Sequence, residues 1–279
     1  MGKGMARNLK KAGAELYIHN RSKPAVAQLA MEGMQACASP AEIAADIGNG
    51  VIIIMVTDTP SVEAALFGIN GVAERLHRAT LVIDMGTTGI RETRAFAARI
   101  RQAGGDYMDA PVSGGQAGAD FGNLTIMAGG EAQTFARALP YFQAMGKSIT
   151  HVGSTGAGQI AKVANQVIVA LTVDAVAQAF AIAEAAGVAP AKLRQAIEGG
   201  SARSFILENQ GQKMIEGRFV PGGRATVVRK DVRQALEFAE HLGLDLPALR
   251  TNLAQWEKLI AAGDGDLDHS GIIRLYQKR

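Results

Sequence analysis

A lysine and two amides stand on one face of an otherwise apolar helical pattern, and they are the first candidates for chemistry. The stretch 153–166 opens with three glycines, and Lys162 is followed three and four positions later by Asn165 and Gln166. At 3.6 residues per turn these side chains point the same way. Their neighbours are mostly Ala, Val and Ile, so the pattern predicts a buried helix running to about Gly187, in which a lysine usually has a partner or a task. The alternative is a solvated stripe with Lys162 reaching to water.

The glycines before this helix predict a tight turn and a close approach of the backbone to a ligand. A second glycine-rich segment holds Ser113, Gly114 and Gly115, which offer a hydroxyl and consecutive backbone N–H groups. Such groups suit a carboxylate or a phosphate. The alternative is a structural turn between two strands, and these residues alone leave both interpretations open.

Length and composition favour a protein of two domains and argue against several classes. The 279 residues are 48% hydrophobic and 20% charged, which is ordinary for a globular protein. The net charge is +3, and the one dense basic piece is the tail 274–279, so nucleic-acid binding is not indicated. A single cysteine, Cys37, argues against a disulfide framework and fits a reducing compartment. We expect a cytoplasmic protein, because no signal-peptide pattern opens the chain and polar residues interrupt its long apolar helix.

The first half of the chain alternates between strand and helix patterns, which predicts a parallel α/β sheet with crossovers. Strands are predicted at 14–20, 34–37, 51–56, 80–84 and 148–152, with an extended, turn-rich region at 106–130. From residue 156 onward the pattern predicts helices alone. We therefore divide the chain into an α/β domain at 1–152 and an all-α domain at 153–279.

The chain begins where a doubly wound nucleotide-binding sheet would have its glycine-rich turn. Such a sheet opens with a strand, a G-x-G-x-x-G turn and a helix. Here a helix pattern comes first, and Gly2 matches the last glycine of the turn. We expect the omitted strand to be a central one, whose loss exposes two strand edges and removes part of a diphosphate cradle. Our hypothesis is a misassigned start codon or a truncated form, which the intact mass of the native protein would test.

Polar residues at the end of the strand 14–20 bear on the cofactor. An acid at this position favours the free 2′-hydroxyl of NAD, whereas an arginine with neighbouring donors favours the 2′-phosphate of NADP. The residues here are Asn20, Arg21, Ser22 and Lys23. They indicate NADP, although an ordinary polar turn would be the preferred interpretation if this segment stood alone.

Three motifs in this order and spacing resemble the β-hydroxyacid dehydrogenase family. They are the segment 109–130 with Asp-Ala-Pro-Val-Ser-Gly-Gly and Thr-Ile-Met-Ala-Gly-Gly, then G-x-G-x-x-x-K-x-x-N at 156–165, then Lys230 with Asp231. The resemblance covers the whole chain. It implies an α/β N-terminal Rossmann-like domain, with its first strand missing here, followed by an all-α C-terminal domain. It also implies a homodimer or homotetramer formed through the helical domain.

The resemblance assigns roles residue by residue. Lys162 matches the catalytic lysine. The substrate-binding residues implied are Ser113, Gly114, Gly115, Asn165 and Gln166. With the residues indicated above, the cofactor-binding set is Gly2, Asn20, Arg21, Ser22, Met55, Val56, Thr87, Lys230 and Asp231. Met55 and Val56 are expected to end a strand whose following loop lines the cofactor. No metal site is predicted.

The activity implied is hydride transfer between NADP, with NAD possible, and a small aldehyde or hydroxy acid. Within the family, the stretch 165–171 resembles most the members that interconvert 2-hydroxy-3-oxopropionate and glycerate, so the resemblance implies this reaction first. The alternative substrates are 3-hydroxyisobutyrate, glyoxylate and succinic semialdehyde. Lys162 would stabilise the charge that grows on the substrate oxygen and donate a proton, which a pKa lowered by burial and by Lys230 would favour.

Three departures from the family pattern stand out: Gln166 in place of a second asparagine, Gly86 in place of Ser or Thr, and about two extra residues at 46–50. We expect the last to lengthen a surface loop. Two other functions stay open. An imine reductase of the same architecture usually lacks the lysine, and a non-catalytic NADP-binding protein would be explained by the absent glycine turn.

Overall fold

The computed structural model describes residues 1–277, so the end of the predicted basic tail, Lys278 and Arg279, lies outside the described residues. The chain divides into two compact units, Met1–Lys162 and Val163–Arg279. The division falls inside one long helix, α8 (Ala157–Ala185). The first unit is α/β and the second is helical, as the sequence predicted.

The first unit contains eight strands and the seven helices that precede α8. The strands are β1 (Tyr17–Ile18), β2 (Gln35–Ala36), β3 (Val51–Ile54), β4 (Leu81–Asp84), β5 (Asp106–Asp109), β6 (Val112–Ser113), β7 (Leu124–Gly129) and β8 (Gly146–Gly153). The helices are α1 (Gly2–Lys11), α2 (Lys23–Met31), α3 (Pro40–Asp46), α4 (Thr59–Phe67), α5 (Ile90–Gln102), α6 (Gly115–Phe121) and α7 (Ala132–Met145). A short 3₁₀ turn, Val72–Glu74, follows α4.

The strands form two sheets of different character. β1 and β2 pair in parallel as one small sheet, and the other six follow the order β3-β4-β5-β7-β6 with β8 beside β7. β3, β4 and β5 are parallel, but β7 runs antiparallel to both β5 and β6. The predicted parallel pairing is confirmed for β3, β4 and β5, and the antiparallel pairing of β7 was not predicted. The chain from Ser113 to Leu124 is too short for the crossover of a dozen or more residues that a parallel pair needs.

Both faces of the larger sheet are covered by apolar side chains. β4 is buried at every position. Leu81 and Ile83 belong to one core cluster, and Val82 belongs to the other. Successive strand residues point to opposite faces. Three consecutive buried apolar residues therefore indicate that the sheet is buried on both sides.

Local sequence signals account for several element ends. The Ser39 hydroxyl accepts from the backbone N–H of Glu42 at 3.1 Å, and the Glu42 carboxylate accepts from the N–H of Ala38 at 2.6 Å. This reciprocal arrangement is a capping box at the start of α3. The strand predicted at 51–56 ends earlier, at Ile54, so Met55 and Val56 lie in the loop just beyond β3.

Helix α6 was not predicted, because its residues fall in the region expected to be extended and turn-rich. Two of its residues and both flanking positions are glycine, which disfavours a helix in isolation. Tertiary contacts override that preference: α1 packs against α6, Ala119 is fully buried, and the Asn8 amide donates to the Ala119 carbonyl at 2.7 Å.

The described residues of the second unit form helices and connecting turns, apart from one isolated bridge between Arg224 and Asp268. After α8 come α9 (Pro190–Ile197), α10 (Phe205–Glu216), α11 (Ala225–His241) and α12 (Pro247–Leu259). A π-helical turn, Ile260–Asp264, and a 3₁₀ helix, His269–Leu275, follow. By length and composition α8 could cross a membrane, but core helices of water-soluble proteins meet the same criterion, so this property decides nothing by itself.

Candidate active site

Lys162 lies in the second turn of α8 and is almost completely buried. Its exposed fraction is 8%, which confirms the burial predicted from its apolar neighbours. Asn165 and Gln166 follow on the same helix and are half-buried. The sequence therefore indicated correctly that this lysine stands in a shielded environment, where the chemistry of an amine depends strongly on its neighbours.

The start of α8 is bound to the carboxyl end of β5 by a buried aspartate. Asp109 Oδ1 accepts from the N–H of Gly156 at 2.7 Å, and Oδ2 accepts from the N–H of Gln159 at 2.9 Å. A carboxylate at a helix N-terminus satisfies N–H groups that have no partner within the helix and is favoured by the helix dipole. Burial raises the pKa of Asp109, and these bonds oppose the rise.

The glycines of the G-x-G motif are required by the packing and by the backbone at the start of α8. A Cβ on Gly158 would lie 2.3 Å from the Met127 carbonyl oxygen and 2.8 Å from Asp109 Oδ2. Gly156 has a φ of +93°, in the left-handed region that favours glycine. The close approach at Gly158 is thus between α8 and the strands β5 and β7, and the predicted approach of this turn to a ligand stays a prediction.

Gln159 connects α8 to the loop that follows β4. Its Nε2 donates to the Gly86 carbonyl at 2.9 Å, and its Oε1 accepts from the N–H of Thr88 at 3.1 Å. The side chain is 1% exposed. The two backbone groups that it binds stand on either side of Thr87, the residue predicted to contact the cofactor.

Asp84 holds the same loop from the strand side. Its carboxylate accepts from the N–H of Gly86 at 2.9 Å, from the Thr88 hydroxyl at 2.6 Å and from the Tyr107 hydroxyl at 3.2 Å. Burial raises the pKa of Asp84 to about 6, although these three bonds favour the charged form. Desolvation also raises the pKa of Tyr107 well above its ordinary value.

Asp84, Asp109 and Gln159 were not predicted as site residues. The signal available was an acid ending each of two buried parallel strands, and Asp84 and Asp109 are register partners at that edge. The carboxyl ends of such strands are where open α/β sheets bind ligands. The bonds to Gln159 join residues more than 70 positions apart, and no local pattern reports them.

Several predicted cofactor-binding residues lie near the same edge. A Cβ on Gly2 would be 4.0 Å from Met55, and one on Gly86 would be 2.8 Å from the Val56 carbonyl oxygen. Thr87 is half-buried between the buried Gly86 and Thr88. The close approach at Gly86 gives a physical reason for the departure from Ser or Thr there, since a side chain would meet backbone.

Ser113, Gly114 and Gly115 form the junction between β6 and α6. Ser113 is half-buried and pairs in register with Thr125. Gly114 and Gly115 have φ values of +127° and +62°. Both values are in the left-handed region, so the two glycines are required by the backbone of the turn. The structure accordingly supports the interpretation as a tight turn and leaves the predicted carboxylate binding as a proposal.

Asn20, Arg21 and Ser22 follow β1 as an exposed turn, and the Asn20 amide donates to the Ser22 carbonyl at 3.2 Å. Next to this turn is a surface depression of about 350 Å³, lined by Lys23, Val26, Ala27, Ala36, Cys37 and Ala38. Residues 20–23 carry hydroxyl, ammonium and guanidinium groups and no carboxylate. This donor set suits an anionic group of a dinucleotide.

In the second unit, the remaining predicted residues form one chain of polar contacts. Asn165 Nδ2 donates to Gln166 Oε1 at 2.9 Å, and Gln166 Nε2 donates to Asp231 Oδ2 at 2.6 Å. Lys230 Nζ lies 2.8 Å from Asp231 Oδ1. Asp231 is 4% exposed, so the acid of this ion pair is buried. The cluster places both predicted amides in contact with Asp231 or with each other.

One group of possible metal ligands appears that the sequence did not indicate. The Cys37 thiol and the carboxylates of Glu42 and Asp46 lie within 4.8 Å of one another. Each has a role in the local fold: Glu42 accepts from the N–H of Ala38, and the Cys37 thiol contacts Asp46 at 4.0 Å. We assign no metal to this group.

Comparison with known proteins fits this geometry. Residues 1–153 match the family described as the NAD binding domain of 6-phosphogluconate dehydrogenase. Residues 156–276 match the family described as NAD-binding of NADP-dependent 3-hydroxyisobutyrate dehydrogenase. The 2-hydroxy-3-oxopropionate reductase of Escherichia coli K12 is 41% identical over 98% of this chain and 93% of its own length. The chain belongs to the β-hydroxyacid dehydrogenase family.

Two further relatives show how widely the family's substrates vary. The 2-(hydroxymethyl)glutarate dehydrogenase of Eubacterium barkeri is 32% identical over 100% of this chain and 92% of its own length. A structure of 3-hydroxyisobutyrate dehydrogenase from Mycobacterium tuberculosis with L-serine is 29% identical, with a TM-score of 0.89, and covers 100% of this chain and 96% of that one.

Family membership confirms the predicted fold class, a Rossmann-like α/β domain followed by a helical domain. It also confirms that the protein is an oxidoreductase of the dehydrogenase and reductase class, acting on hydroxyl groups with a nicotinamide cofactor and a small-molecule substrate. The exposed donors after β1 fit such a dinucleotide.

Proposed function

We propose that this member of the β-hydroxyacid dehydrogenase family reduces a small aldehyde acid with NADPH, and that 2-hydroxy-3-oxopropionate is its preferred substrate. The observation that carries the proposal is the buried Lys162, on a helix whose first turn is bound to the carboxyl ends of β4 and β5. That edge is the usual ligand-binding edge of an open α/β sheet. The 41% identity to a 2-hydroxy-3-oxopropionate reductase supports the choice of substrate.

In this proposal Lys162 performs the proton transfer. The nicotinamide, when bound, supplies the hydride. As negative charge grows on the carbonyl oxygen of the substrate, the Lys162 ammonium stabilises it and donates a proton from Nζ. In the opposite direction the neutral amine takes the hydroxyl proton. Burial of the lysine excludes water, which strengthens its interaction with the developing oxyanion.

The substrate carboxylate is proposed to bind at the turn between β6 and α6. The Ser113 hydroxyl and the N–H groups of Gly114 and Gly115 are the donors, and the positive φ of both glycines supports a turn that presents N–H groups without side chains. We propose that Asn165 orients the substrate hydroxyl, while Gln166 is held by its bond to Asp231.

The dinucleotide is proposed to contact Gly2, Met55, Val56 and Thr87 in the first unit, and the cofactor-binding roles of Lys230 and Asp231 stay predictions of the family resemblance. Arg21, Ser22 and Lys23 favour NADP over NAD, because they are exposed donors for a 2′-phosphate and no acid replaces them. Asn20 holds this turn through its bond to the Ser22 carbonyl.

We also propose that the protein forms a homodimer or homotetramer through its helical unit. Ile168, Ile182 and Phe205 are exposed at 67%, 71% and 68% on helices of that unit. Large apolar side chains in such numbers favour burial against a second copy. Light scattering of the purified protein would give the mass directly.

A kinetic panel tests the proposed function. Reduction of 2-hydroxy-3-oxopropionate, glyoxylate and succinic semialdehyde, and oxidation of 3-hydroxyisobutyrate and threonate, would be followed at the nicotinamide absorbance with each cofactor. We expect the highest kcat/KM with 2-hydroxy-3-oxopropionate and NADPH. A higher kcat/KM with another acid would make that acid the preferred substrate. NADPH binding without any turnover would favour a non-catalytic protein.

The matched variant Arg21→Ala tests the cofactor choice. Loss of a charge-assisted bond to the 2′-phosphate should lower kcat/KM for NADPH by about 10- to 100-fold, since such bonds contribute about 1.5–3 kcal/mol. The value for NADH should stay within about twofold, because NADH has no 2′-phosphate. An equal loss with both cofactors would contradict the assignment of Arg21.

A further inference from the structure

We propose that Gln159 is a positioning residue of the reaction, whose side-chain amide fixes Lys162 with respect to the loop that carries Thr87. The inference rests on the proposed function, in which Lys162 transfers the proton and Thr87 contacts the cofactor. Gln159 acts through Lys162 and Thr87 and touches neither substrate nor cofactor.

The first observation is the pair of bonds that the amide makes. Its donor meets the Gly86 carbonyl and its acceptor meets the Thr88 N–H, so both ends of the amide are satisfied. The orientation of the amide is fixed, because a carbonyl requires the donor end and an N–H requires the acceptor end. Thr87 stands between these two backbone groups and is the only half-buried residue of the three.

The second observation is the position of Gln159 on α8. It precedes Lys162 by three residues, so the two side chains lie on neighbouring positions of one helical face. The backbone N–H of Gln159 is itself bound by Asp109 at 2.9 Å. The residue is therefore fixed at both its backbone and its side chain, one turn from the lysine.

The third observation is that the Thr87 loop has little freedom of its own. Asp84 binds the N–H of Gly86 and the hydroxyl of Thr88, and a Cβ on Gly86 would meet the Val56 carbonyl at 2.8 Å. Gln159 thus joins two rigid parts, the start of α8 and the loop after β4. A misplacement of about 1 Å between reacting groups can lower a rate by about 100-fold. The hydrogen bonds of Gln159 that fix α8 to this loop are therefore expected to affect turnover.

A stability role alone would give a different result, and Asn252 provides the matched control. Asn252 is also 1% exposed, and its amide bonds the Ala170 carbonyl, Asp174 Oδ2 and the Trp256 indole within the second unit. Gln159→Leu and Asn252→Leu each remove a buried amide with its hydrogen bonds. Both variants should have a lower Tm.

Only Gln159→Leu should impair turnover of the folded enzyme. At a temperature where circular dichroism shows both variants fully folded, we expect its kcat to fall by about 10- to 100-fold, with a smaller change in the dissociation constant of NADPH. Asn252→Leu should keep kcat within about twofold of the wild type. A folded Gln159→Leu enzyme with wild-type kcat would overturn the proposal.

Gln159→Glu gives a second readout that a structural role would not produce. A protonated carboxyl can donate to the Gly86 carbonyl and accept from the Thr88 N–H, whereas a carboxylate can only accept. The nearby titratable groups are Asp109, which binds the Gln159 N–H, Asp84, which binds Gly86 and Thr88, Tyr107, which donates to Asp84, and Lys162, which is one turn away. We expect the ratio of the variant's kcat to that of the wild type to rise as pH falls from 8.5 to 5.5, and a flat ratio would count against positioning.

A measurement without substrate separates this inference from the proposed function. With lysine labelled at ¹³Cε, the NMR signal of Lys162 can be assigned by its loss in Lys162→Arg. We expect Gln159→Leu to shift that signal and Asn252→Leu to leave it in place. Absence of turnover in the wild type would defeat the proposed function alone, whereas an unshifted Lys162 signal in folded Gln159→Leu would defeat the positioning role.

Discussion

Asp84 in the first unit and Asp268 in the second are both fully buried carboxyls, yet their pKa values move in opposite directions. Burial raises the pKa of Asp84 to about 6, and its bonded partners oppose the rise without reversing it. Burial acts on Asp268 in the same sense, but the charge of His269 and bonds from backbone N–H groups outweigh it and lower the pKa.

The difference lies in the partners. Asp84 accepts from two hydroxyls and one N–H, all neutral. Asp268 forms an ion pair with Lys213 at 3.0 Å and also accepts from the N–H groups of Gly222 and Ser270. A cation and several donors favour the charged form of a buried carboxylate and offset its desolvation, whereas neutral partners leave more of that cost uncompensated at neutral pH.

This contrast indicates that the region around Asp84 serves the chemistry and that the region around Asp268 serves the stability of the fold. Buried ionisable groups whose charged form is disfavoured are frequent at functional sites, while a compensated ion pair is a common structural element. Asp84 supports the loop of Thr87, and Asp109 supports the helix of Lys162. Asp268 ties the loop at Gly222 to the 3₁₀ helix that begins at His269. The predictions below test whether chemistry and stability separate in this way.

The largest expected difference is between substitutions of two lysines, one that should lower kcat and one that should lower stability. Lys162→Ala should lower kcat by about 1,000-fold, within the range that general acid–base groups contribute, and should change NADPH affinity little. Lys213→Met should leave kcat unchanged and reduce the free energy of unfolding by about 2 kcal/mol, because it leaves the Asp268 carboxylate without its ion-pair partner. Steady-state kinetics and denaturant unfolding measure both.

Lys162→Met controls for packing, since it keeps an aliphatic stem of similar length in the buried site. It should be as inactive as Lys162→Ala while retaining more of the wild-type stability. Turnover that survives in either variant would remove Lys162 from the mechanism. A loss of activity in folded Lys213→Met would show that the two regions are coupled more closely than their separate networks indicate.

A pair of glycines gives the next effect. Gly158→Ala would bring a Cβ to 2.3 Å from the Met127 carbonyl oxygen, so α8 must move away from β7 and β5. We expect a loss of about 3 kcal/mol or more in the free energy of unfolding, together with a fall in kcat. Gly199→Ala in the second unit is the control, because a Cβ there meets nothing within 4 Å.

Gly199→Ala should change the unfolding free energy by less than about 0.5 kcal/mol and leave kcat unaltered. If Gly158→Ala were tolerated equally well, the close contact of α8 with the strands would not determine the position of Lys162. Hydrogen exchange at the N–H groups of Gly156 and Gln159 would show whether α8 has moved. Displacement of the helix should break their bonds to Asp109 and speed the exchange.

The sequence predicted features that depend on neighbours along the chain. The strand at 80–84 and the burial of Lys162 both follow from residue type and period, and the structure confirms them. The family resemblance rested on short motifs in order, and the comparisons confirm it. The functional roles of the predicted site residues stay predictions.

Features that depend on distant contacts were missed or misinterpreted. The helix α6 forms in a glycine-rich segment because α1 packs against it. The sheet is mixed because the chain from Ser113 to Leu124 is short. Gly158 approaches the protein's own backbone, and Gln159 binds a loop more than 70 residues earlier in the chain. Neither relation leaves a local signal in the sequence.

The last prediction concerns the pH dependence of stability. The pKa of Asp84 is about 6 in the folded protein and about 3.8 when the group is free, so between these values the folded state binds more protons than the unfolded state. The free energy of unfolding should therefore fall as pH rises from about 4 to above 6. A difference of about two pKa units corresponds to about 3 kcal/mol from this residue. Asp109 acts in the same sense, and Asp268 in the opposite sense, since its stabilisation is lost as pH falls.

Asp84→Asn should remove the part of this slope that Asp84 contributes, so the variant should gain stability relative to the wild type at pH 8 but not at pH 4. Tyr107→Phe sharpens the test, because it deletes a donor that favours the charged form of Asp84. We expect it to raise the pKa of Asp84 further and to shift the pH window of the stability loss upward. Urea unfolding between pH 4 and pH 8 measures both effects. If the slope were the same in all three proteins, burial without a cation would not be the cause of the contrast between Asp84 and Asp268.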